Sequence, residues 1–111
     1  MRNFSWAWIL WMTLAATTAL GAQVPVGTIE GTVVDPHGQP VAGASVVMQT
    51  SDGQRPHATR TKPDGHFQFT RFTTGQYDLR ASFKGEYSDW AKRVPLRSKR
   101  PTEITLRLNH R

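Results

Sequence analysis

The residues of this 111-residue chain that could carry out acid–base, nucleophilic or metal chemistry are scattered along the sequence. There is no cysteine, which excludes thiol chemistry, disulfides and attachment of a lipid to a cysteine. The histidines do not stand at the paired spacings of metal ligands, so we expect them on the polar surface: His37, His57, His66 and His110. The sequence therefore predicts no catalytic residues, no metal and no cofactor.

The strongest candidate for a binding surface is the segment Lys84–Trp90, which combines two aromatic residues, two acids and a glycine. Aromatic rings flanked by polar groups suit sugar rings or peptide side chains, which makes Tyr87 and Trp90 candidate ligand contacts. The alternative, which we favour, is that both rings close one end of a core, because large aromatic side chains are usually mostly buried. The burial of Trp90 discriminates between the two interpretations.

The positive charge is concentrated at the C-terminal end. Residues 92–111 contain seven basic residues against Glu103 alone, whereas residues 23–91 have a net charge of −1. Lys92 and Arg93 lie two and three residues after Trp90 and are candidate partner contacts. The stretch Lys92–Arg111 could attract anionic lipid or another acidic envelope surface by long-range electrostatics. The alternative, which we favour, is that these charges face solvent and discourage edge-to-edge association of strands.

The first 22 residues show the three parts of a secretory signal peptide. Arg2 supplies the positive charge, Phe4–Leu14 the apolar core, and Ala19–Ala22 the small residues for a peptidase. We predict cleavage after Gly21 or Ala22, leaving one domain, residues 23–111, in the periplasm or outside the cell. An uncleaved anchor is the alternative, but the apolar run is shorter than the roughly 20 residues of a membrane-spanning helix. Export also makes nucleic acid a poor partner.

From Gln23 onward, short runs of β-branched and aromatic residues alternate with segments rich in Gly, Pro and Asp. This pattern predicts an all-β domain, a sandwich or a barrel. Turn residues at 35–40, 51–53 and 63–65 separate the early strands. Within the fourth strand, Phe67 and Phe69 share a face and are expected to point to the core. Seven strands are predicted, at residues 29–34, 44–50, 58–62, 66–70, 76–83, 90–96 and 103–108.

Three segments of the sequence, Gly31–Val46, Thr61–Phe69 and Thr74–Ala81, together resemble the carboxypeptidase regulatory-like (transthyretin-like) domain family. The first reads GTVVDPHGQPVAGASV, and the last contains a Gly-x-Tyr-x-Leu strand. The resemblance implies a transthyretin-like Greek-key β-sandwich with a carbohydrate-binding-like fold, used in the family as an accessory or adhesive module.

Two chemistries known from similar folds lack their residues in this sequence. The resemblance extends to a transthyretin-like hydrolase of purine catabolism, but that enzyme's C-terminal Tyr-Arg-Gly-Ser signature is absent from residues 98–111. Similar adhesin domains form a Lys–Asn isopeptide bond from an early strand. Here the first lysine is Lys62, so Asn109 has no such partner.

Three classes of function remain, in order of preference. The first is a structural or protein-interaction module of the cell envelope, which needs only the fold and the export signal. The second is a carbohydrate-binding module, which needs Tyr87 and Trp90 exposed. The third is an enzyme, which needs a catalytic constellation that the sequence does not contain.

Overall fold

A computed structural model describes residues 24–111, so the predicted signal peptide, residues 1–22, lies outside the described residues. Within residues 24–111 the chain is all-β, and no helix there could cross a membrane. The eight strands are β1 (Val26–Val34), β2 (Ser45–Thr50), β3 (His57–Arg60), β4 (His66–Thr73), β5 (Gly75–Phe83), β6 (Glu86–Ser88), β7 (Ala91–Leu96) and β8 (Thr102–His110).

The strands form two packed sheets that share the last strand. In the first sheet, β1 lies between β4, which is antiparallel to it, and β8, which is parallel to it. In the second sheet, β2 lies between β3 and β5, and the other edge of β5 pairs with both β6 and β7. The C-terminal end of β8 pairs with β6 and so connects the two sheets.

The prediction of an all-β sandwich is confirmed, but the predicted number of seven strands is wrong. The additional strand is β6, which lies between the predicted strands 76–83 and 90–96. Lys84 and Gly85 have φ angles of 48° and 83°, so β5 and β6 are joined by a two-residue turn of type I′. Asn, Asp and Gly are the preferred residues of such a turn. With a lysine in first position, this hairpin has no strong sequence signal.

The core is filled by alternate residues of both sheets. Ile29 and Val33 of β1 and Met48 of β2 are fully buried, as is Leu79 at the centre of β5. Phe67 and Phe69 are 2% and 4% exposed, which confirms that they face the core. The other members of the core are Ala44, Val46, Tyr77, Ala81, Val94, Leu96, Leu106 and Leu108.

Gly31 allows β1 and β8 to lie close together at the centre of the first sheet. A Cβ atom at this position would lie 2.0 Å from the carbonyl oxygen of Ile104, much closer than van der Waals contact permits. The contacting atom belongs to the backbone, so a side chain at position 31 could be accommodated only by separating the two strands.

Thr61, directly after β3, fastens the segment 41–44 to the second sheet. Its backbone N–H donates to the carbonyl of Ala44 at 2.9 Å, and its carbonyl accepts from the N–H of Gly43 at 3.0 Å. Its hydroxyl accepts from the N–H of Ala44 at 2.8 Å and donates to the carbonyl of Val41 at 2.6 Å. One buried threonine therefore satisfies several backbone groups that no strand would otherwise pair.

Aspartates stabilise the surface turns at the ends of the strands. Asp35 accepts backbone hydrogen bonds from Gln39 at 2.9 Å and from His37 at 2.8 Å. Asp64 accepts one from His66 at 3.0 Å in the predicted turn before β4. These donors favour the ionised carboxylate, so the Gln39 N–H above all lowers the pKa of Asp35, and the His66 N–H lowers that of Asp64.

Candidate functional site

A groove of about 580 Å³ crosses the outer face of the second sheet. Its floor is a row of residues in register: Ser45 of β2 lies between Arg60 of β3 and Ser82 of β5, and Ser82 pairs with Tyr87 of β6. Successive residues of a strand face opposite sides, so the neighbours of this row point to the core. The groove is lined by Gly43, Ser45, Arg60, Arg80, Ser82, Phe83, Lys84, Gly85, Glu86 and Tyr87.

Gly43 and Phe83 lie side by side in the groove, because a Cβ at Gly43 would be 4.0 Å from Phe83 Cε1. Gly43 belongs to the segment that Thr61 holds, and its carbonyl accepts a hydrogen bond from Arg60 Nη1 at 3.0 Å. The type I′ turn places the Lys84 ammonium 5.2 Å from the centre of the Phe83 ring. Arg60 and Lys84 therefore each present a cation to the groove.

Arg80 connects the groove to Trp90. Its guanidinium carbon lies 4.8 Å from the centre of the Trp90 ring and 5.5 Å from the centre of the Tyr87 ring. On the other side of Tyr87, in the direction of β8, the His110 ring stacks at 5.4 Å with an interplanar angle of 22°. The aromatic rings and cations thus form one continuous stack, with Tyr87 between Arg80 and His110.

The residues around Tyr87 hold this stack in place. His110 Nε2 lies 2.6 Å from Asp89 Oδ1, within hydrogen-bond distance. The buried Ser88 hydroxyl accepts from the Ala81 N–H at 2.9 Å and donates to the Asp89 carbonyl at 2.9 Å. These bonds fix the backbone between β6 and β7, where Trp90 lies beside Arg80.

The expectation that Tyr87 and Trp90 close one end of the core is wrong. Tyr87 is 37% exposed, and Trp90 is only partly buried. Neither ring belongs to the core cluster or to the partly buried side chains that pack against it. The register explains this difference, because Tyr87 points to the same side of the sheet as its partner Ser82. Ala81, which precedes Ser82, and Ser88, which follows Tyr87, are the buried residues.

Lys92 and Arg93 lie outside the groove, at a β-bulge in β7. The pairing of β5 with β7 is irregular at this point, and Arg93 has a φ of 54°. Its backbone N–H donates to Asp78 Oδ1 at 2.9 Å, and Ser51 Oγ donates to the same oxygen at 3.1 Å. The side chains of Lys92 and Arg93 are exposed, whereas Asp78 is buried.

Sequence reasoning missed Arg60, Arg80 and Ser45 as groove residues. Each comes from a different predicted strand, and nothing in the local pattern says which residues of separate strands become neighbours. The one available signal is alternation within β5, where Arg80 and Ser82 alternate with the core residues Leu79 and Ala81.

Within residues 24–111, no group of three or more His, Cys, Asp or Glu side chains could hold a metal ion. The histidine–carboxylate contacts in that range are pairs: His66 with Asp64 at 3.1 Å, and His110 with Asp89 at 2.6 Å.

The sequence pattern of the carboxypeptidase regulatory-like domain matches residues 28–109. The chain therefore belongs to the carboxypeptidase regulatory-like domain family. No curated protein matches the chain.

Several solved structures share the fold at low sequence identity. BcpA, the major pilin subunit of Bacillus cereus, superposes with a TM-score of 0.57 at 14% identity over 78% of this chain and 31% of its own. The dioxygenase domain of a dioxygenase–carbohydrate-binding protein fusion comes from the cellulolytic bacterium Streptomyces sp. SirexAA-E. It superposes with a TM-score of 0.55 at 13% identity over 80% of this chain and 82% of its own. PA1324 of Pseudomonas aeruginosa, described as a candidate carbohydrate-binding protein, superposes with a TM-score of 0.51 at 14% identity over 82% of this chain and 95% of its own.

These comparisons show the fold of the chain. The chain spans less than a third of the length of the pilin subunit, but most of the length of the other two structures. Proteins with this fold include a pilin subunit and a dioxygenase domain, so the fold alone does not identify the function of this chain. The function has to be argued from the residues of the groove.

Proposed function

We propose that this chain is an exported, non-catalytic β-sandwich module that binds a protein partner in the cell envelope through the groove. The partner contributes an acidic segment that lies across β2, β5 and β6. Support for export comes from the signal-peptide pattern of residues 1–22. We also infer transthyretin-like Greek-key connections, because β1 pairs with strands distant in sequence, β4 and β8.

The observation that supports a protein partner is the charge of the groove. Arg60, Arg80 and Lys84 line it together, and the single acidic residue of the lining, Glu86, lies 3.5 Å from Arg111. Exposed Ser82 and partly buried Phe83 also line the groove. Carboxylates make strong hydrogen bonds to guanidinium groups, so an acidic segment complements this surface better than a neutral one.

Carbohydrate binding is the second candidate. It is favoured by the 37% exposure of Tyr87 at the rim of the groove and by the candidate assignment of PA1324, which shares the fold. Sugar rings bind to free aromatic faces. Arg80 and His110 lie on either side of the Tyr87 ring, and Arg80 also lies over Trp90, so these faces are already in contact with side chains of the chain itself.

Site-specific photo-crosslinking tests the protein-interaction proposal. A photoreactive amino acid at Ser82, on the floor of the groove, is expected to crosslink a discrete partner in the envelope of cells that export the protein. The matched control carries the same group at Thr105, which is exposed on the outer face of the first sheet. Arg80→Gln is expected to abolish the Ser82 crosslink, and equal crosslinking from both positions would contradict the proposal.

A glycan array separates the second candidate from the first. Under the protein-interaction proposal, neither the chain nor Arg80→Ala, in which the faces of Tyr87 and Trp90 are uncovered, binds glycans. Binding that is lost in Trp90→Ala with the fold retained would establish carbohydrate recognition instead. Mass spectrometry of the exported protein tests the signal peptide, and a mass corresponding to cleavage after Gly21 or Ala22 is expected.

A further inference from the structure

Four cationic residues surround a cavity at the end of the first sheet where β1 begins. The cavity, of about 240 Å³, is lined by the start of β1, by the end of β4 and by the loop between β7 and β8. We call the four residues the basic cradle: Arg71, Arg97, Lys99 and Arg100. The cradle shares no residue with the groove.

Two backbone features bring the basic cradle together. A Cβ at Gly27 would lie 1.9 Å from the carbonyl oxygen of Arg97, so the glycine lets the β7–β8 loop lie directly against β1. On the other side, the pairing of β1 with β4 shifts between Gly27 and Thr28, which leaves Arg71 as the extra residue of a bulge. Arg71 has a φ of 65°, a conformation that redirects its side chain relative to a regular strand.

The charges of the basic cradle are not neutralised by nearby acids. Among residues 24–111, the ion pairs involve Asp64, Glu86 and Asp89, and none of them includes a residue of the cradle. All four cradle residues are exposed. Like charges held close together without counter-charges favour an anion that carries phosphate or several carboxylates.

Exposed apolar side chains lie directly beside the basic cradle. Val24 is 61% exposed and Val26 is 39% exposed, and Val26 itself lines the cavity. They are the only large aliphatic side chains so exposed in residues 24–111. Cations together with neighbouring apolar side chains are the combination by which proteins bind the interface of anionic membranes, where phosphate groups lie above acyl chains.

We propose that the basic cradle binds the phosphate groups of anionic phospholipids, with Val24 and Val26 contacting the membrane interface. The groove lies on the other sheet and takes no part in this contact. The domain then rests on a membrane surface by the end at which β1 begins.

Vesicle binding of the full chain tests this proposal. The apolar segment at residues 4–14 is expected to bind any bilayer, so the readout is the ratio of binding to phosphatidylglycerol-containing vesicles over binding to pure phosphatidylcholine vesicles. Each cation near an anionic surface strengthens binding about fivefold, so Arg97→Gln combined with Arg100→Gln is expected to lower the ratio roughly 25-fold. Far-UV circular dichroism checks that this variant retains the fold.

The matched control removes the same charge elsewhere. Lys62 and Arg107 are exposed near the opposite end of the first sheet, and replacing both with glutamine is expected to change the ratio less than threefold, as distant charges are screened. An equal loss in both double variants would show that only net charge matters and would overturn the site. A ratio near one for the unmodified chain would overturn membrane binding altogether.

A soluble probe separates a lipid surface from a free phosphate compound. Inorganic pyrophosphate, titrated by calorimetry, is expected to bind at least a hundredfold more weakly than the vesicles. Micromolar binding of pyrophosphate without preference for anionic vesicles would assign the cradle to a soluble ligand and overturn the proposal. Val24→Ser with Val26→Ser is expected to weaken vesicle binding without changing pyrophosphate binding.

Discussion

Replacing Thr61 with valine removes a single hydroxyl group and leaves the volume of the side chain nearly unchanged. In the structure this hydroxyl accepts from the N–H of Ala44 at 2.8 Å and donates to the carbonyl of Val41 at 2.6 Å. Valine offers neither bond. The substitution therefore isolates two hydrogen bonds without creating a cavity.

The magnitude follows from the burial of the two groups left without a partner. A buried unpaired polar group costs about 1–3 kcal/mol. Ala44 is fully buried, so its N–H bears this cost, whereas Val41 is partly exposed and water can reach its carbonyl at a smaller cost. We expect Thr61→Val to lower the free energy of unfolding by about 2–4 kcal/mol.

Urea unfolding followed by circular dichroism measures this difference. Thr61→Ser keeps the hydroxyl and loses one methyl group, so it should cost about 1 kcal/mol. Thr105→Val makes the same chemical change at an exposed site and should stay within about 0.5 kcal/mol of the unmodified chain. If Thr61→Val were no worse than Thr61→Ser, the hydroxyl would not hold the segment 41–44, and the groove would lose its fixed lining at Gly43.

Three further substitutions test other parts of the structure. Gly31→Ala places a Cβ 2.0 Å from a backbone oxygen and should cost about 3 kcal/mol or more by urea unfolding, and a loss under 1 kcal/mol would contradict the close approach of β1 and β8. At Gly85, φ is +83° with no atom near the added Cβ, so Gly85→Ala should cost only about 1–2 kcal/mol of backbone strain, and a neutral result would argue against the type I′ turn. Asp35 has a lowered pKa, so its carboxylate stabilises the fold above the usual aspartate pKa, and this contribution is lost as the pH falls through the folded value. Asp35→Asn should therefore be less stable than the unmodified chain at pH 7 but equal to it once the pH lies below the folded pKa, and a difference that persists in acid would refute the assignment.

The strand pattern was predictable because the core depends on alternation within each strand. Phe67 and Phe69 lie on the core face as their spacing indicates, and the turn before β4 has the positive φ at Gly65 that its Pro-Asp-Gly sequence predicts. Asp78 alternates with the core residues Tyr77 and Leu79 and is nevertheless buried, because the bulge in β7 supplies a donor, the Arg93 N–H, that no local pattern reveals. A buried carboxylate of this kind can be foreseen only when the pairing of β5 with β7 is known.

The candidate site was less predictable than the fold for a related reason. Tyr87 and Trp90 attract attention as aromatic residues close in sequence, yet Arg80, which lies over both rings, belongs to another strand. Arg71 likewise joins Arg97 in the basic cradle from a distant part of the chain. Contacts between strands depend on register, and register is decided by the whole sheet.

The position of β8 sets the order in which the domain can be completed. Thr102–His110 is the last strand of the sequence, but it pairs with β1, the first, and with β6, so it is the piece that joins the two sheets. A chain that crosses a membrane with its N-terminus first would expose the unpaired edge of β1 until the last residues emerge. Contacts between such distant segments form slowly, and we expect the domain to stay open during passage and to close only after its final strand arrives.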